Sequence, residues 1–387
     1  MALHEIPESR QFGLIEWLSG EECRAADEAG LIEGLARRLR RLPLPVDGLT
    51  LYLRTLHPEI RARIVVWSGE GSVEIHDRKH EMQHVVAVAG SPLRQAMETR
   101  TWQTVRADKN SEVGGALGPF HNRGFAELVT APLPGAGSVS FATRRASGFA
   151  PAERRVLERV LPALGSACEL KTLRRLGTTL LDTYVGEASG QRILAGRIHR
   201  GDVERLEAAL MFCDLRDFSG LSDRLPAARV LAELNLYFDQ IVPVIAAEGG
   251  EVLKFIGDAV LAFFRCGDGP EASCAAAFAA AKRIECQLAS ASAGSVPLRA
   301  GIGLHYGVVN YGNIGSGRRL DFTVIGRDVN LLSRIHAVCG NTERSIVMSD
   351  CFADLLGKAD CCSIGRHALK GFAEPEELFV SATLQAA

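Results

Sequence analysis

The sequence predicts an α+β protein whose two domains are joined by a helical connector. Its 387 residues exceed what one ordinary domain needs and suit two. In the C-terminal half, strand-like apolar runs alternate with two long helical segments, Pro226–Ala247 and Pro270–Ala291. Gly257 and Asp258 separate two of those runs, which is the signal of a two-residue hairpin turn. These observations predict a sandwich of antiparallel sheet and helices in that half.

The other C-terminal elements follow from the same patterns. Strands are predicted at Ala208–Cys213, Val252–Ile256, Ala259–Phe264, Leu298–Leu304, Val308–Ile314 and Leu320–Ile325. A helix is predicted to begin near Phe218, and another to cover Asp328–Val338.

Residues 1–167 are predicted to form a separate α/β domain. Leucines at helical spacing up to Leu39 predict its first helix, which Pro43 ends. Pro151 opens its last helix, which Pro162 should kink or split. Strand-like runs lie between the two helices: Leu49–Leu53, Ile64–Trp67, Val85–Val88, Glu127–Pro132 and Ser138–Thr143. Element order therefore resembles that of a GAF domain, which implies a sensory role and a possible small-molecule ligand; a purely structural dimerisation domain stays open.

Two further patterns concern the connector and a group of histidines. Residues 168–204 continue an apolar helical stripe that would pair in parallel with a second copy, on Leu170, Leu173, Leu176, Leu180 and Leu181. Glycines should then break the helix, at Gly186, Gly190, Gly196 and Gly201. His76, His80 and His84 recur every four residues, which fits one helix face. A polar helix face is the favoured interpretation, and a metal or haem role stays open.

Composition excludes several classes of function. A net charge of -2 gives no field that favours nucleic acid or an anionic membrane. The first ten residues are polar and carry no signal-peptide pattern. No run reaches the roughly 18 apolar residues that span a bilayer, Ala272–Ala281 being the closest candidate. We therefore expect a cytoplasmic protein.

Two aspartates are placed where a sheet can present them. Asp214 follows a buried strand, and Asp258 lies in the predicted hairpin, so both carboxylates should project at the rim of the sheet. Magnesium prefers oxygen ligands and keeps waters and substrate phosphates as the rest of its shell. Two carboxylates on neighbouring strands can therefore hold two ions beside a triphosphate.

Basic and amide side chains complete the constellation. Asn330 and Arg334 are spaced i, i+4 and share a helix face, where the arginine can neutralise charge on a phosphate. Lys254 and Thr323 lie on strands and offer the groups needed to read a purine edge, and Lys370 is a further cation. Each residue alone is more often a turn or surface residue. Their joint occurrence favours a nucleotide site.

Residues 205–387 resemble a class III nucleotidyl cyclase catalytic domain of ferredoxin-like fold. The matching phrases are Phe212-x-Asp214-x-x-x-Phe218, Lys254-x-x-Gly257-Asp258, Gly301-Ile302-Gly303-Leu304-His305-x-Gly307, Gly312-Asn313-Ile314-Gly315, Gly326-x-x-Val329-Asn330-x-x-x-Arg334 and Leu369-Lys370-Gly371. The resemblance implies that Asp214 and Asp258 bind two Mg²⁺ or Mn²⁺ ions and that Asn330 and Arg334 stabilise the transition state. It implies substrate-binding roles for Lys254, Thr323, Lys370 and Phe218, the first two selecting the base.

The same resemblance implies a homodimer in which each site combines residues of two subunits. Lys254 with Thr323 implies ATP as substrate, as in the subclass of bicarbonate-responsive cyclases, so bicarbonate is a candidate effector. The commonest family phrase has glycine where this chain has Asp217. Guanylate cyclase activity and a catalytically inactive sensory module stay open. A diguanylate cyclase is disfavoured, because Val252 follows Gly249-Gly250-Glu251 where a second acidic residue belongs.

Overall fold

The computed structural model describes residues 8–69, 73–80, 92–106, 123–133, 135, 137–291, 298–340, 344–358 and 361–382. The chain divides into two compact units, Met1–Leu180 (unit 1) and Leu181–Ala387 (unit 2). Each unit has its own sheet and its own buried apolar core. The division falls inside the segment 168–204 that the sequence predicts as a connector.

Unit 1 is a six-stranded antiparallel sheet with helices packed against it. Its elements are α1 (Glu8–Ser19), α2 (Glu21–Ala25), α3 (Glu28–Arg41), β1 (Gly48–Arg54), β2 (Ile60–Trp67), β3 (Glu74–Lys79), α4 (Pro92–Thr99), β4 (Gln103–Arg106), β5 (Glu127–Leu133), β6 (Gly137–Thr143) and α5 (Pro151–Val185). The strand order is β3-β2-β1-β6-β5-β4. The side chain of Asp27 caps α3 by accepting a hydrogen bond from Gly30 N at 2.7 Å. Leu31, Leu35 and Leu39 of α3 are fully buried in the core of the unit.

Pro162 lies inside α5, which is one helix from Pro151 to Val185, so of the predicted kink or split the split does not occur. Proline removes the hydrogen bond to the carbonyl four residues earlier, which belongs to Glu158. Glu158 is exposed, so water can take that bond. The helix also runs past Leu180 to Val185.

The histidine prediction is also wrong for the residues that the structure describes. His76 lies in strand β3 and His80 directly follows it, so they share no helix face. His80 Nε2 lies 3.0 Å from the carbonyl oxygen of His57. His84 and the predicted strand Val85–Val88 lie outside the described residues. The charged, largely exposed side chains of β3 explain why no apolar alternation marks it in the sequence.

Unit 2 is a larger sheet with helices. Its elements are α6 (Glu187–Leu194), β7 (Val203–Leu215), α7 (Phe218–Arg224), α8 (Ala227–Ala247), β8 (Glu251–Ile256), β9 (Ala259–Arg265), α9 (Pro270–Ala291), β10 (Ala300–Ser316), β11 (Arg319–Ile325), α10 (Arg327–Cys339), β12 (Ile346–Ser349), α11 (Asp350–Leu355), β13 (Cys361–His367) and β14 (Glu376–Ser381). The strand order is β13-β14-β12-β10-β7-β9-β8, with β11 paired to β10. The succession β7-α8-β8-β9-α9-β10 with spatial order β10-β7-β9-β8 is a ferredoxin-like arrangement.

Three predictions for unit 2 are corrected. The strands predicted at 298–304 and 308–314 are one strand, β10, because Gly307 stays extended and pairs with Ala208. The sheet is not wholly antiparallel, since β10 and β12 pair in parallel, with Ile302 opposite Ile346. Gly190 lies inside α6 rather than breaking a helix.

Among the described residues, α8 is the one helix whose length and composition would allow it to cross a membrane. The closest candidate in the sequence was a different segment, Ala272–Ala281, which lies within α9. Tyr237, Ile241 and Ile245 of α8 are fully buried in the core of unit 2. Apolar residues of α8 therefore contribute to the core of this unit.

Candidate active site

Two aspartates lie side by side at the end of the central strands of unit 2. Asp214 is the next-to-last residue of β7 and pairs with Ala259 of β9. The hairpin between β8 and β9 closes with Ile256 opposite Ala259, so Asp258 lies in the turn next to Asp214. Gly257 has a φ of +66°, which glycine adopts without strain. The hairpin therefore brings a second carboxyl group to the strand end that carries the first.

The carboxyl group of Asp214 lies close enough to that of Asp258 to affect its ionisation. Burial, followed by the neighbouring Asp214 carboxyl, raises the pKa of Asp258 to about 6. Oδ1 of Asp214 is buried and has no hydrogen-bond partner among the described residues. A close carboxylate pair with an unsatisfied oxygen is stabilised by a bound cation.

This donor set fits a magnesium or manganese ion. Both metals take hard oxygen ligands, and magnesium is usually held by one or two carboxylates together with waters and substrate phosphates. The part of the chain that the structure describes has no cluster of three or more His, Cys, Asp or Glu side chains suited to a metal. Asp214 and Asp258 alone would therefore need a phosphate-bearing substrate and water to complete the shell.

The loop after Asp214 keeps a left-handed backbone although it lacks the family's usual glycine. Asp217 has φ +59° and ψ +28°, a conformation that aspartate tolerates better than most residues. A Cβ atom at Gly220 would lie 2.4 Å from Oδ1 of Asp217, so Gly220 makes room for this side chain. Phe218 begins α7 directly after Asp217 and packs against the core of unit 2. Asp217 thus adopts a positive φ, a conformation that glycine also adopts readily.

Asp321, which was not predicted from the sequence as a site residue, connects Lys254 with the strand that carries Thr323. Lys254 Nζ lies 2.6 Å from Oδ2 of Asp321, with which it forms an ion pair. Asp321 and Thr323 are two residues apart on β11 and so point to the same face of the strand. Oγ1 of Thr323 is buried without a hydrogen-bond partner among the described residues. The i, i+2 spacing from Thr323 was the signal that could have identified Asp321.

Helix α10 carries Asn330 and Arg334, and its start is fixed to β10. Oδ2 of Asp328 accepts a hydrogen bond from Val308 N at 2.6 Å. A Cβ atom at Gly307 would lie 2.3 Å from the same oxygen, so only glycine lets the helix approach this closely. The side chains of Asn330 and Arg334 are exposed and have no hydrogen bond or ion pair within the described chain. They are therefore available to another molecule.

His336 is a second residue that the sequence analysis missed. Its ring lies 4.8 Å from that of Phe212, and its backbone leaves no room for a side chain at Gly303. Burial lowers the pKa of His336, and the carboxyl of Asp258 opposes this change. The paired glycines of the Gly301-Ile302-Gly303 phrase are the signal, because they allow a helix side chain to lie on the strand.

The structure thus brings Asp214 together with Asp258, and it places Lys254 on β8 and Thr323 on β11, two strands that the Lys254–Asp321 ion pair connects. It records no contact of Asn330, Arg334 or Lys370 with the two aspartates among the described residues. Lys370 is exposed in the segment between β13 and β14. Within the described part of one chain, the aspartate pair and the helix face that carries Asn330 and Arg334 are therefore separate groups.

Comparison with known proteins shows what residues 203–381 are similar to. Residues 203–381 match the family described as the Adenylate and Guanylate cyclase catalytic domain. Adenylate cyclase 1 of Rhizobium meliloti (strain 1021) is 31% identical over 150 residues, which are 38% of this chain and 23% of that protein. The adenylate cyclase of Anabaena cylindrica is 31% identical over 148 residues, which are 36% of this chain and 29% of that protein.

Among solved structures, the adenylyl cyclase CyaB from P. aeruginosa is 28% identical, covering 48% of this chain and 97% of that chain with a TM-score of 0.43. This chain spans less than a third of the length of the two curated relatives named above. The family match confirms the resemblance to a class III adenylate/guanylate cyclase catalytic domain for residues 203–381. The GAF resemblance and the subclass stay predictions.

Proposed function

We propose that this chain, which carries an adenylate/guanylate cyclase catalytic domain in residues 203–381, converts ATP to 3′,5′-cyclic AMP and pyrophosphate. The ribose 3′ oxygen attacks the α-phosphate, and pyrophosphate leaves. The observation that carries this proposal is the carboxyl pair of Asp214 and Asp258, with the buried, unpartnered oxygen of Asp214. Both curated relatives described above are named adenylate cyclases.

Asp214 and Asp258 would hold two Mg²⁺ or Mn²⁺ ions, which when bound supply charge stabilisation for the attacking and leaving oxygens. The raised pKa of Asp258 means that part of its population is protonated near pH 6. Its proton must leave before the carboxylate can serve as a ligand. Phe218 and the first turn of α7 would lie against the phosphates, because α7 begins four residues after Asp214.

The other side chains bind and orient the nucleotide. Arg334 would neutralise the charge that grows on the α-phosphate, and Asn330, one helical turn earlier, would orient the ribose. Lys370 would contact the phosphates. Lys254 donates to the base while Asp321 fixes its ammonium group, and the unpartnered hydroxyl of Thr323 completes the reading of adenine.

We infer that the site forms between two copies of the chain. The chain carries each of these residues once, and within its described part the aspartate pair and the helix face that carries Asn330 and Arg334 are separate groups. In a two-fold symmetric dimer, the aspartates of one copy would face the basic residues of the other at two equivalent sites. The exposed, unpaired side chains of Asn330 and Arg334 support this arrangement.

Guanylate cyclase activity is the second candidate, and Asp321 is the observation that favours it. A carboxylate can accept hydrogen bonds from the donor groups on the guanine edge, which adenine lacks at those positions. Asp321 lies beside Lys254, so a rearrangement of this ion pair would present it to the base. The relative rates with ATP and GTP decide between the two substrates.

Regulation by the N-terminal region is part of the proposal. Residues 1–167 would act as a GAF-like sensory domain and residues 168–204 as a signalling linker, in a cytoplasmic protein. Helix α5 supports a helical linker, because Pro151–Val185 is one helix that includes the first part of the segment 168–204. Bicarbonate is a candidate effector on the strength of Thr323.

Purified full-length protein should release cyclic AMP from ATP with Mg²⁺ or Mn²⁺, and GTP should give a lower kcat/KM. Asp214→Ala should lower the rate by about 10²-fold to 10³-fold or more, because a charge-stabilising group is lost. Asp223→Ala, an exposed aspartate nearby on α7, is the matched control and should keep the wild-type rate. Folded, dimeric wild-type protein that makes no cyclic nucleotide with either substrate would overturn the proposal.

A further inference from the structure

Unit 1 contains a cavity of about 350 Å³ that has no part in the proposed cyclase reaction. The turn between β1 and β2, strands β2 and β3 and one face of α5 line it. Its polar residues include Arg54, His57, Arg63, Asp77, Thr172 and Arg175. Its size falls at the lower end of the range of roughly 300 to 1,000 Å³ for small-molecule sites.

The carboxylate in the lining already has an ion-pair partner. Nε and Nη2 of Arg63 donate to the two oxygens of Asp77, both at 2.7 Å. This bidentate pair neutralises the charge of the carboxylate and disfavours its use by a cationic ligand. The one carboxylate among the lining residues is therefore engaged within the protein.

Two buried donors in the same lining have no partner. Nη1 of Arg175 donates to Glu28, but Nη2 of Arg175 is buried without a hydrogen bond among the described residues. The hydroxyl of Thr172, one helical turn earlier on α5, is also buried without a hydrogen bond among the described residues. Unsatisfied buried donors destabilise a protein, so a pair of them beside a cavity indicates a missing acceptor.

Two more groups add donors to the cavity. The guanidinium of Arg54 is exposed and forms no ion pair in the described part of the chain. Nδ1 of His57 accepts hydrogen bonds from Glu59 N and Ile60 N, at 3.0 and 3.1 Å, which leaves the proton of the neutral ring on Nε2. The cavity therefore offers donors to a ligand and few acceptors.

The charge and the apolar lining narrow the class of ligand. Three arginines face the carboxylates of Asp77 and Glu28, so one positive charge is left over. That balance suits a monoanion better than a dianion. Leu56 and Leu173 flank the cavity and are 70% and 56% exposed, and Ile60 and Leu176 continue this apolar lining. A ligand with an apolar body would remove that surface from water.

We propose that unit 1 binds a small organic monocarboxylate, whose carboxylate is held by Arg175 and Thr172 and whose apolar body covers Leu56 and Leu173. Burial lowers the pKa of Arg175, and a bound anion opposes that effect. The site does not depend on the cyclase proposal, because its residues lie in unit 1 and its readout is binding.

The test uses full-length protein, isothermal titration calorimetry and thermal unfolding. The probes are benzoate and hexanoate, each compared with its uncharged amide, benzamide and hexanamide. At least one acid should bind saturably and raise the unfolding midpoint. Its amide should bind at least about tenfold more weakly, because a charge-assisted hydrogen bond is lost.

Variants localise the binding. Arg175→Met should weaken binding of the acid by about tenfold or more, and Thr172→Val by a few-fold. Arg155→Met changes an exposed arginine on the same helix, away from the cavity, and should leave the affinity unchanged. If Arg175→Met fails to fold because Glu28 loses its partner, Thr172→Val and Arg54→Met provide the same test.

Two results would overturn the proposal. One is wild-type protein that binds neither acid more tightly than its amide. The other is acid binding that survives unchanged in Thr172→Val and Arg54→Met. If the acids do not bind and Leu173→Ser instead dissociates a dimer in sedimentation experiments, a second copy of the chain covers this face.

Discussion

A buried carboxyl group in unit 1 and two half-buried ones in unit 2 have opposite surroundings. In unit 1, the side chain of Glu127 is 1% exposed and accepts hydrogen bonds from Phe149 N, Arg106 and Arg154. Burial would raise the pKa of Glu127, but these donors lower it overall. In unit 2, Asp214 and Asp258 face each other, and burial with Asp214 raises the pKa of Asp258 to about 6.

This difference underlies our distinction between a carboxylate that stabilises the fold and one that we propose to bind a cation. Glu127 has its positive partners in its own chain, and it connects β5 with the start of α5. Asp214 and Asp258 form no ion pair among the described residues, so a proton or a bound ion would relieve their repulsion. We therefore expect a lowered carboxyl pKa at structural acids of this protein and a raised one at the proposed metal ligands.

The largest expected effect is the loss of activity in Asp214→Asn, accompanied by a gain in stability. The change removes a negative charge beside Asp258, so the free energy of unfolding at pH 7 without metal should rise by ~1 kcal/mol after solvent screening. Cyclic AMP production should fall to the level of Asp214→Ala. Denaturant unfolding in EDTA measures the first effect, with Asp223→Asn as control. A variant less stable than wild type would contradict the repulsion.

The reverse outcome is expected for Glu127→Gln. Loss of the charge removes two ion pairs with a buried carboxylate and should lower the free energy of unfolding by about 2 kcal/mol. Because the pKa of Glu127 is lowered in the folded state, the stabilisation is present above pH 4.5 and disappears as pH falls below it. Glu158→Gln, on the exposed face of α5, should change little. If the Glu127 and Glu158 variants were equally stable at pH 7, the claim that the ion pairs of Glu127 stabilise the fold would be contradicted.

A buried histidine in unit 2, His305, extends the comparison from acidic to basic side chains. Burial would lower the pKa of His305, but Asp328 and Cys351 raise it to about 9. Its Nε2 lies 3.7 Å from Oδ1 of Asp328, an ion pair rather than a hydrogen bond, and its Nδ1 lies 2.8 Å from Oγ of Ser349. Because the pKa of His305 is raised in the folded state, protonation of His305 stabilises the fold. This stabilisation is complete below pH 6.5, the pKa of histidine in the unfolded chain, and it is lost as the pH rises through 9.

Wild-type protein should therefore lose roughly 2 kcal/mol of stability between pH 6.5 and 9.5 that His305→Gln does not lose. His199→Gln, at an exposed position of unit 2, is the matched control. The measurement is denaturant unfolding across this pH range. Parallel pH curves for wild type and His305→Gln would show that His305 stays neutral in the fold.

Sequence reasoning succeeded where one local pattern determines the structure. The turn signal at Gly257 and Asp258 predicts the hairpin, and that hairpin brings Asp258 to Asp214. It failed where a distant partner decides the outcome. Gly307 looks like a strand break, yet it is glycine because Asp328 occupies the space of its Cβ atom.

The same limit applies to the candidate site. Asp321 carries no motif of its own, and its contact with Lys254 joins strands that are far apart in the sequence, β11 and β8. The cavity of unit 1 was likewise beyond prediction, because it joins the β1–β2 turn to a helix more than a hundred residues later.

The central claim is that acidic and basic residues from two copies form one site, and mixing two inactive variants tests it most directly. Asp214→Asn and Arg334→Ala should each be inactive alone. After unfolding and refolding together in equal amounts, half of the dimers should be mixed, each with one intact site. We expect about a quarter of wild-type cyclic AMP production per total protein. A refolded mixture that forms mixed dimers and stays inactive would contradict the shared site.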